Sequence, residues 1–316
     1  MDIPTFDDVL AAQDRIGPHV HRTPVLTNGQ LGDLAGASLF FKCENFQKVG
    51  AFKARGACNA VFSLTDEEAK RGVATHSSGN HGQAIAYAAG RRGIHSTIVM
   101  PKTAAKPKFD GVRGYGGEVV TCPPGTRSRE EAVAAVLERT GANFIHPFDD
   151  AHVIAGQGTC GLELLQDAGH LDAIVAPVGG GGLISGTCLA ASGFSPATKV
   201  YAAEPEQADD ACRSKRAGHI VEDDAPQTIA DGLKASLKPL TFHFVANHVS
   251  EVLTVSEKEI VDAMRLVWER MKIVIEPSSA VAVAAVLKNR ELFAGQRVGI
   301  ILTGGNVDLD RLPWAG

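Results

Sequence analysis

Three stretches of this sequence could do chemistry. The first is Val49-Gly50-Ala51-Phe52-Lys53-Ala54-Arg55-Gly56-Ala57, a lone lysine among small residues where an extended run hands over to a helical one. A primary amine in such a place can attack a carbonyl or take a proton. The second is Pro177-Val178-Gly179-Gly180-Gly181-Gly182-Leu183, which follows an apolar strand and precedes a helical pattern. Four glycines there leave backbone N–H groups uncovered at a helix N-terminus, which makes a phosphate cradle. No G-x-G-x-x-G frame and no following Lys-Ser/Thr is present, so neither a dinucleotide nor a nucleoside triphosphate is favoured. One phosphate cradle and one amine together point to pyridoxal phosphate, whose aldehyde needs an amine. The third stretch, Glu204-Pro205-Glu206-Gln207-Ala208-Asp209-Asp210, sets two carboxylates around a carbonyl. Oxygen donors of this kind suit Mg²⁺ or Ca²⁺ better than zinc, and a solvated acidic loop is the plain alternative.

These stretches need a scaffold, and the hydrophobic pattern supplies one. Thr5 with Asp8 predicts a capped first helix ending at Gly17-Pro18, and Leu39 to Cys43 predicts a strand before the helix that opens near Lys53. From Gly72 to Phe148 short apolar strands at 73–75, 97–100, 118–121 and 143–145 alternate with helical patterns. A second series has strands at 173–176, 200–203, 252–255 and 298–302. That rhythm predicts an α/β chain with two mainly parallel, twisted sheets and flanking helices.

Composition sets limits. With 316 residues, 44% of them hydrophobic, the chain can bury a sizeable core, and its net charge of −5 without a basic stripe argues against nucleic acid. The six cysteines are scattered without a C-x-x-C pair, which predicts reduced, structural thiols in a cytoplasmic protein. No apolar run of membrane-spanning length and no signal core appears, so no membrane is expected as a partner.

Gly50 to Ala57, Ser77-Ser78-Gly79-Asn80-His81-Gly82, Gly179 to Gly182 and Thr303-Gly304-Gly305-Asn306 together resemble, in order, the signature turns of the fold-type II pyridoxal-phosphate enzymes. Within them the chain is most similar to the branch of serine racemases and serine/threonine or hydroxyaspartate dehydratases. The resemblance implies a tryptophan synthase β-like fold, with residues 1–65 and 148–316 as a large cofactor-binding domain and 66–147 as a small mobile one. It implies that Lys53 holds the cofactor as a Schiff base and later takes the substrate's α-proton. Phe52 would support the ring, Asn80 would bond its hydroxyl, and Gly179, Gly180, Gly181, Gly182 and Leu183 would hold the phosphate. Thr303 would face the ring nitrogen. A neutral hydroxyl there leaves less charge drained into the ring, which favours elimination over transamination.

The same resemblance gives Ser77, Ser78 and His81 to the substrate carboxylate, with Ser78 as a second base on the opposite face. It gives Glu204, the Ala208 carbonyl and Asp210 to Mg²⁺ (or Ca²⁺ or Mn²⁺), and a homodimer as assembly. Arg129 matches an arginine that meets the substrate's distal end. A guanidinium there suits a second carboxylate, so 3-hydroxyaspartate is the expected amino-acid substrate. Two departures from the mammalian-type racemases stand out: Asn28-Gly29-Gln30 lacks the serines that help bind nucleotide, and Ala235 replaces a substrate-contacting serine. The expected activity is an ammonia-lyase. Serine or threonine dehydration, serine racemisation and a non-catalytic amino-acid sensor are the alternatives.

Overall fold

In the computed structural model, which describes residues 2–314 except 78, 105 and 224, the apolar runs form ten strands. They are β1 (Val25–Leu26), β2 (Ser38–Cys43), β3 (Val73–His76), β4 (Ser96–Pro101), β5 (Glu118–Cys122), β6 (Asn143–Phe144), β7 (Ala173–Pro177), β8 (Lys199–Pro205), β9 (Glu251–Val255) and β10 (Arg297–Leu302). A six-stranded sheet runs β1-β2-β10-β7-β8-β9, and a four-stranded sheet runs β5-β4-β3-β6. All pairings are parallel except β1 with β2. Strands covered on both faces read as unbroken apolar runs, and all five residues of β7 are buried. The smaller sheet is inserted in sequence between β2 and β7, so the larger one closes only when β10 returns to lie between β2 and β7.

The helices start and stop for local reasons. Thr5 and Asp8 form the reciprocal capping box over Phe6–Ile16. The Asn80–Arg92 helix ends on Gly93 in the left-handed region. No helix among the described residues is long and apolar enough to cross a membrane.

At the helix Lys53–Ser63 the N-cap residue makes no side-chain hydrogen bond. A distant residue satisfies one of its first N–H groups: Gly56 N–H donates to Gln157 Oε1 at 3.1 Å, from the helix Ala151–Ala168. These two helices and Gly182–Phe194 pack backbone against backbone. A Cβ on Gly156 would lie 2.7 Å from the Arg55 carbonyl, and one on Gly186 would lie 2.4 Å from the Gly158 nitrogen. The helix carrying Lys53 and the helix that opens the glycine run are thereby locked through a common neighbour.

Beneath Lys53 lies a buried lattice of charge. Arg55 Nε donates to Glu44 at 2.7 Å, and its terminal nitrogens donate to Glu163 at 2.8 Å, which also accepts from Lys42 at 2.7 Å. Two cations and two carboxylates cancel. Paired in this way, buried charges add little net stability, yet they penalise any shift that would unpair one of them. The lattice joins β2, the turn after it, the Lys53 helix and the helix Ala151–Ala168.

Candidate active site

The signature turns meet at the carboxyl ends of parallel strands, the usual ligand side of an open α/β sheet. Beyond β10, residues 303–305 run beside the segment that leads into Lys53. Phe52 N–H donates to the Thr303 carbonyl at 3.0 Å, Gly305 N–H donates to the Gly50 carbonyl at 2.9 Å, and Ala51 and Gly304 form an isolated antiparallel bridge. Lys53 and Thr303, 250 positions apart, are therefore fixed relative to one another by backbone alone. The Thr303 hydroxyl sits 3.0 Å from that of Ser279, which is also bonded to Gly304. The pair carries no charge.

Lys53 Nζ donates to the Pro147 carbonyl at 2.7 Å. Its side chain keeps some exposure, but burial of the amine end lowers its pKa from 10.5 to about 8. The carbonyl is presented by a turn that His146 organises: its Nδ1 accepts from the N–H groups of Phe148 and Asp149 at 3.3 and 2.8 Å. Burial, then the charge of His76, then that of Lys53, push His146 down to about 4, so it stays neutral.

At the glycine run, none of the N–H groups of Gly179 to Leu183 meets a backbone acceptor among the described residues. They stand at the N-terminus of a 13-residue helix, Gly182–Phe194. The glycines are required by crowding. A Cβ on Gly179 would lie 2.8 Å from Leu233 Cα, one on Gly180 would enter the Phe148 ring, and Gly181 has φ of +89°. Unclaimed donors on a helix N-terminus fit a phosphate.

On the other side, Asn80 opens its helix. Its Nδ2 donates to both oxygens of Glu276 at 3.0 and 3.1 Å, and its Oδ1 accepts from Asn306 Nδ2 at 2.9 Å. One amide N–H can serve Glu276 while the second is free for a ring hydroxyl. Glu276 is buried, and that burial, reinforced by the Asp231 carboxylate, raises its pKa to about 7. The Ser77 hydroxyl accepts from Gly79 N–H at 3.2 Å, at the same helix start. Ser78 lies outside the described residues. His81 is buried and held well below its ordinary pKa, first by desolvation and then by the Lys53 charge. Its Nε2 faces the Ile145 carbonyl at 3.4 Å, and its Nδ1 is buried without a partner. A neutral ring held this way presents Nδ1 as an acceptor, so the donation to a carboxylate expected of His81 needs the other tautomer.

With an amine, an unclaimed phosphate cradle and a neutral hydroxyl on one surface, the arrangement fits pyridoxal phosphate, and the family comparison agrees. Residues 16–304 match the family described as "Pyridoxal-phosphate dependent enzyme". The chain belongs to this family. It is 62% identical over 314 residues to the β-hydroxyaspartate dehydratase of Paracoccus denitrificans (strain Pd 1222), covering 99% of this chain and 100% of that one. It is 46% identical to the L-threo-3-hydroxyaspartate ammonia-lyase of Saccharomyces cerevisiae (strain ATCC 204508 / S288c), covering 98% and 96% of the two chains. The crystal structure of serine racemase from Dictyostelium discoideum superposes with a TM-score of 0.93 at 49% identity, covering 97% of this chain and 99% of that one.

Two further expectations concern Arg129 and the acidic loop that holds Glu204 and Asp210. Arg129 lies in the first turn of the helix Thr126–Thr140, where its Nε donates to the Gly125 carbonyl at 3.3 Å. Its charge reaches His76, at the end of β3, and helps lower the pKa of that ring after burial. At the acidic loop, Glu204 accepts from the N–H groups of Ala211 and Cys212 at 3.2 and 2.7 Å, and Asp210 Oδ2 is buried without a partner. Burial raises Glu204 well above the carboxylate range and Asp210 to about 7. No group of three or more His, Cys, Asp or Glu that could hold a metal occurs among the described residues, so a cation here would depend on carbonyl oxygens beside the two carboxylates. An orphaned carboxylate oxygen facing a second buried acid fits such a cation.

Sequence reasoning missed Glu276, Ser279, the Asn306 side chain and His146. Glu276-Pro277 reads only as a helix start, with proline at the first helical position. Asn306 ends a signature turn, but its type does not say what the side chain meets, and nothing local marks Ser279 or His146.

Proposed function

We propose that this enzyme is an ammonia-lyase that removes water and ammonia from a β-hydroxy amino acid, with 3-hydroxyaspartate as its favoured substrate. The observation that carries the reading is the Lys53 amine, lowered to about 8 by burial and tied through Phe52 to the neutral Thr303. At that pKa a useful fraction of the amine is unprotonated near neutrality and can take a proton from carbon. The choice of substrate is supported by the 62% identity to a β-hydroxyaspartate dehydratase and by Arg129, whose guanidinium suits a second carboxylate.

Bound here, pyridoxal phosphate supplies a conjugated system that accommodates the electron pair left when the α-proton departs. The N–H groups of Gly179 to Leu183 hold its phosphate, the second Asn80 amide N–H its ring hydroxyl, and Phe52 its ring face. Thr303, paired with Ser279, would offer the ring nitrogen an uncharged hydroxyl. Ser77, Ser78 and the start of the Asn80 helix orient the substrate's α-carboxylate, and Arg129 holds the distal one. Lys53 Nζ, with its depressed pKa, would take the α-proton. The β-hydroxyl departs with one proton as water, and the resulting imino acid takes up water to give oxaloacetate and ammonia. Glu204, the Ala208 carbonyl and Asp210 hold Mg²⁺, Ca²⁺ or Mn²⁺, and residues 66–147 move as a small domain against 1–65 and 148–316.

Turnover of 3-hydroxyaspartate stereoisomers, serine and threonine tests this directly. A rate on threonine equal to that on 3-hydroxyaspartate refutes the dicarboxylate preference, and full activity of Lys53→Ala refutes the mechanism. Serine racemisation is the second reading, favoured by the 49% identity to a serine racemase. Chiral analysis of serine after incubation decides it.

A further inference from the structure

Val49, four positions before Lys53, is buried with φ of 56° and ψ of 12°, and Gly50 follows with φ of 67°. Glycine enters this left-handed region freely. A β-branched residue does not, because its side chain crowds the following carbonyl, and such residues persist only where the surroundings over-determine them.

The surroundings here are specific. The Val49 side chain belongs to the apolar cluster that also contains Ala84, Ile85 and Ala88 of the Asn80–Arg92 helix. Its carbonyl accepts from Asn306 Nδ2 at 2.8 Å, and the same nitrogen donates to Asn80 Oδ1 at 2.9 Å. Gly50 N–H donates to the Gln47 carbonyl at 2.9 Å, and a Cβ on Gly50 would lie 2.7 Å from Asn306 Oδ1. The turn is thus gripped from one side by the core of the smaller sheet's helix and from the other by the strand end that carries Thr303. Lys53 follows within one turn of chain.

We propose that Val49 is a positioning residue: its branched side chain, keyed into the core shared with the Asn80 helix, holds the left-handed turn that sets the Lys53 amine in register with Asn80 and Thr303. Glycine would satisfy the backbone at position 49 but could not provide the key. The role rests on the reading of Lys53 as the reacting amine.

The test compares Val49→Gly, Val49→Ala and Val49→Thr in the full-length protein. Thermal melting checks the premise. With a left-handed residue 49, Val49→Gly melts about 2 °C above Val49→Ala, because only the alanine keeps a strained Cβ. The reverse order overturns it. The second measurement is the pH dependence of covalent loading of apoprotein with pyridoxal phosphate, trapped at Lys53 by borohydride. In Val49→Gly the midpoint rises by roughly half a unit as the amine gains water. The holoenzyme then shows kcat lower by about tenfold with KM little changed, as misplacement of a reacting group predicts. Val49→Thr, which keeps the branched shape, restores both. Unchanged loading and kcat in Val49→Gly, while Lys53→Ala abolishes both, overturns the positioning role alone. Persistence of both in Lys53→Ala overturns the reading of Lys53, and the role of Val49 with it.

Discussion

Replacing Glu276 by glutamine removes a buried ionisation while keeping the shape and one acceptor for Asn80. Glu276 is 4% exposed and its pKa is raised from 4.5 to about 7, chiefly by burial. An acid whose folded pKa lies above its unfolded one holds its proton more tightly when folded. Its contribution is therefore intact below the unfolded value and is lost as pH rises towards the folded value. The full loss is about 3 kcal/mol, of which about 2 kcal/mol falls between roughly pH 5.5 and pH 8. Glutamine has no such loss. Urea unfolding of both apoproteins at those two pH values should show the wild type weakening by about 2 kcal/mol more than Glu276→Gln across the interval. A difference below about 0.5 kcal/mol would refute the reasoning, because Glu276 would then ionise inside the fold without penalty. The consequence for function is that Glu276 can hold Asn80 near neutrality without placing a full negative charge beside the cofactor's ring hydroxyl.

Gly181→Ala should weaken pyridoxal phosphate binding by about tenfold in absorbance titrations of apoprotein, since φ is +89° and the new Cβ would lie 2.7 Å from Thr241 Cβ. Covalent uptake of pyridoxal phosphate by Lys53 should rise through a midpoint of about 8 and not near 10.5. Because this folded pKa is depressed, apoprotein stability should also climb as pH rises between those values, and a flat profile there contradicts it. Arg55→Met, which takes the cation from buried Glu44 and leaves Glu163 with Lys42 alone, should cost about 3–5 kcal/mol in denaturant unfolding. Millimolar Mg²⁺, Ca²⁺ or Mn²⁺ should raise the melting temperature of the wild type but not of Asp210→Asn, and no rise with any of the three rejects the cation site.

The sequence alone determined every strand among the described residues except the two-residue β1, together with the four glycine-containing turns and the place of Lys53 in the first turn of a helix. Each is local: an apolar run, a cap or a cluster of glycines writes itself into consecutive residues. The order of those turns also carried the family. Tertiary structure decided what each side chain meets. Lys53 faces the carbonyl of Pro147, Thr303 is bonded to Ser279, and Asn80 is held by Glu276 and Asn306, none of them near in sequence. Val49 gave no warning either, because a valine before a glycine reads as the end of an extended run. Its left-handed backbone exists only because two distant elements grip it. Amphipathic pattern and turn chemistry act within a few residues and survive as signals in the chain. Desolvation, charge pairing and strain depend on neighbours that only folding brings together, so the reactivity of Lys53, as distinct from its position, was decided by the fold.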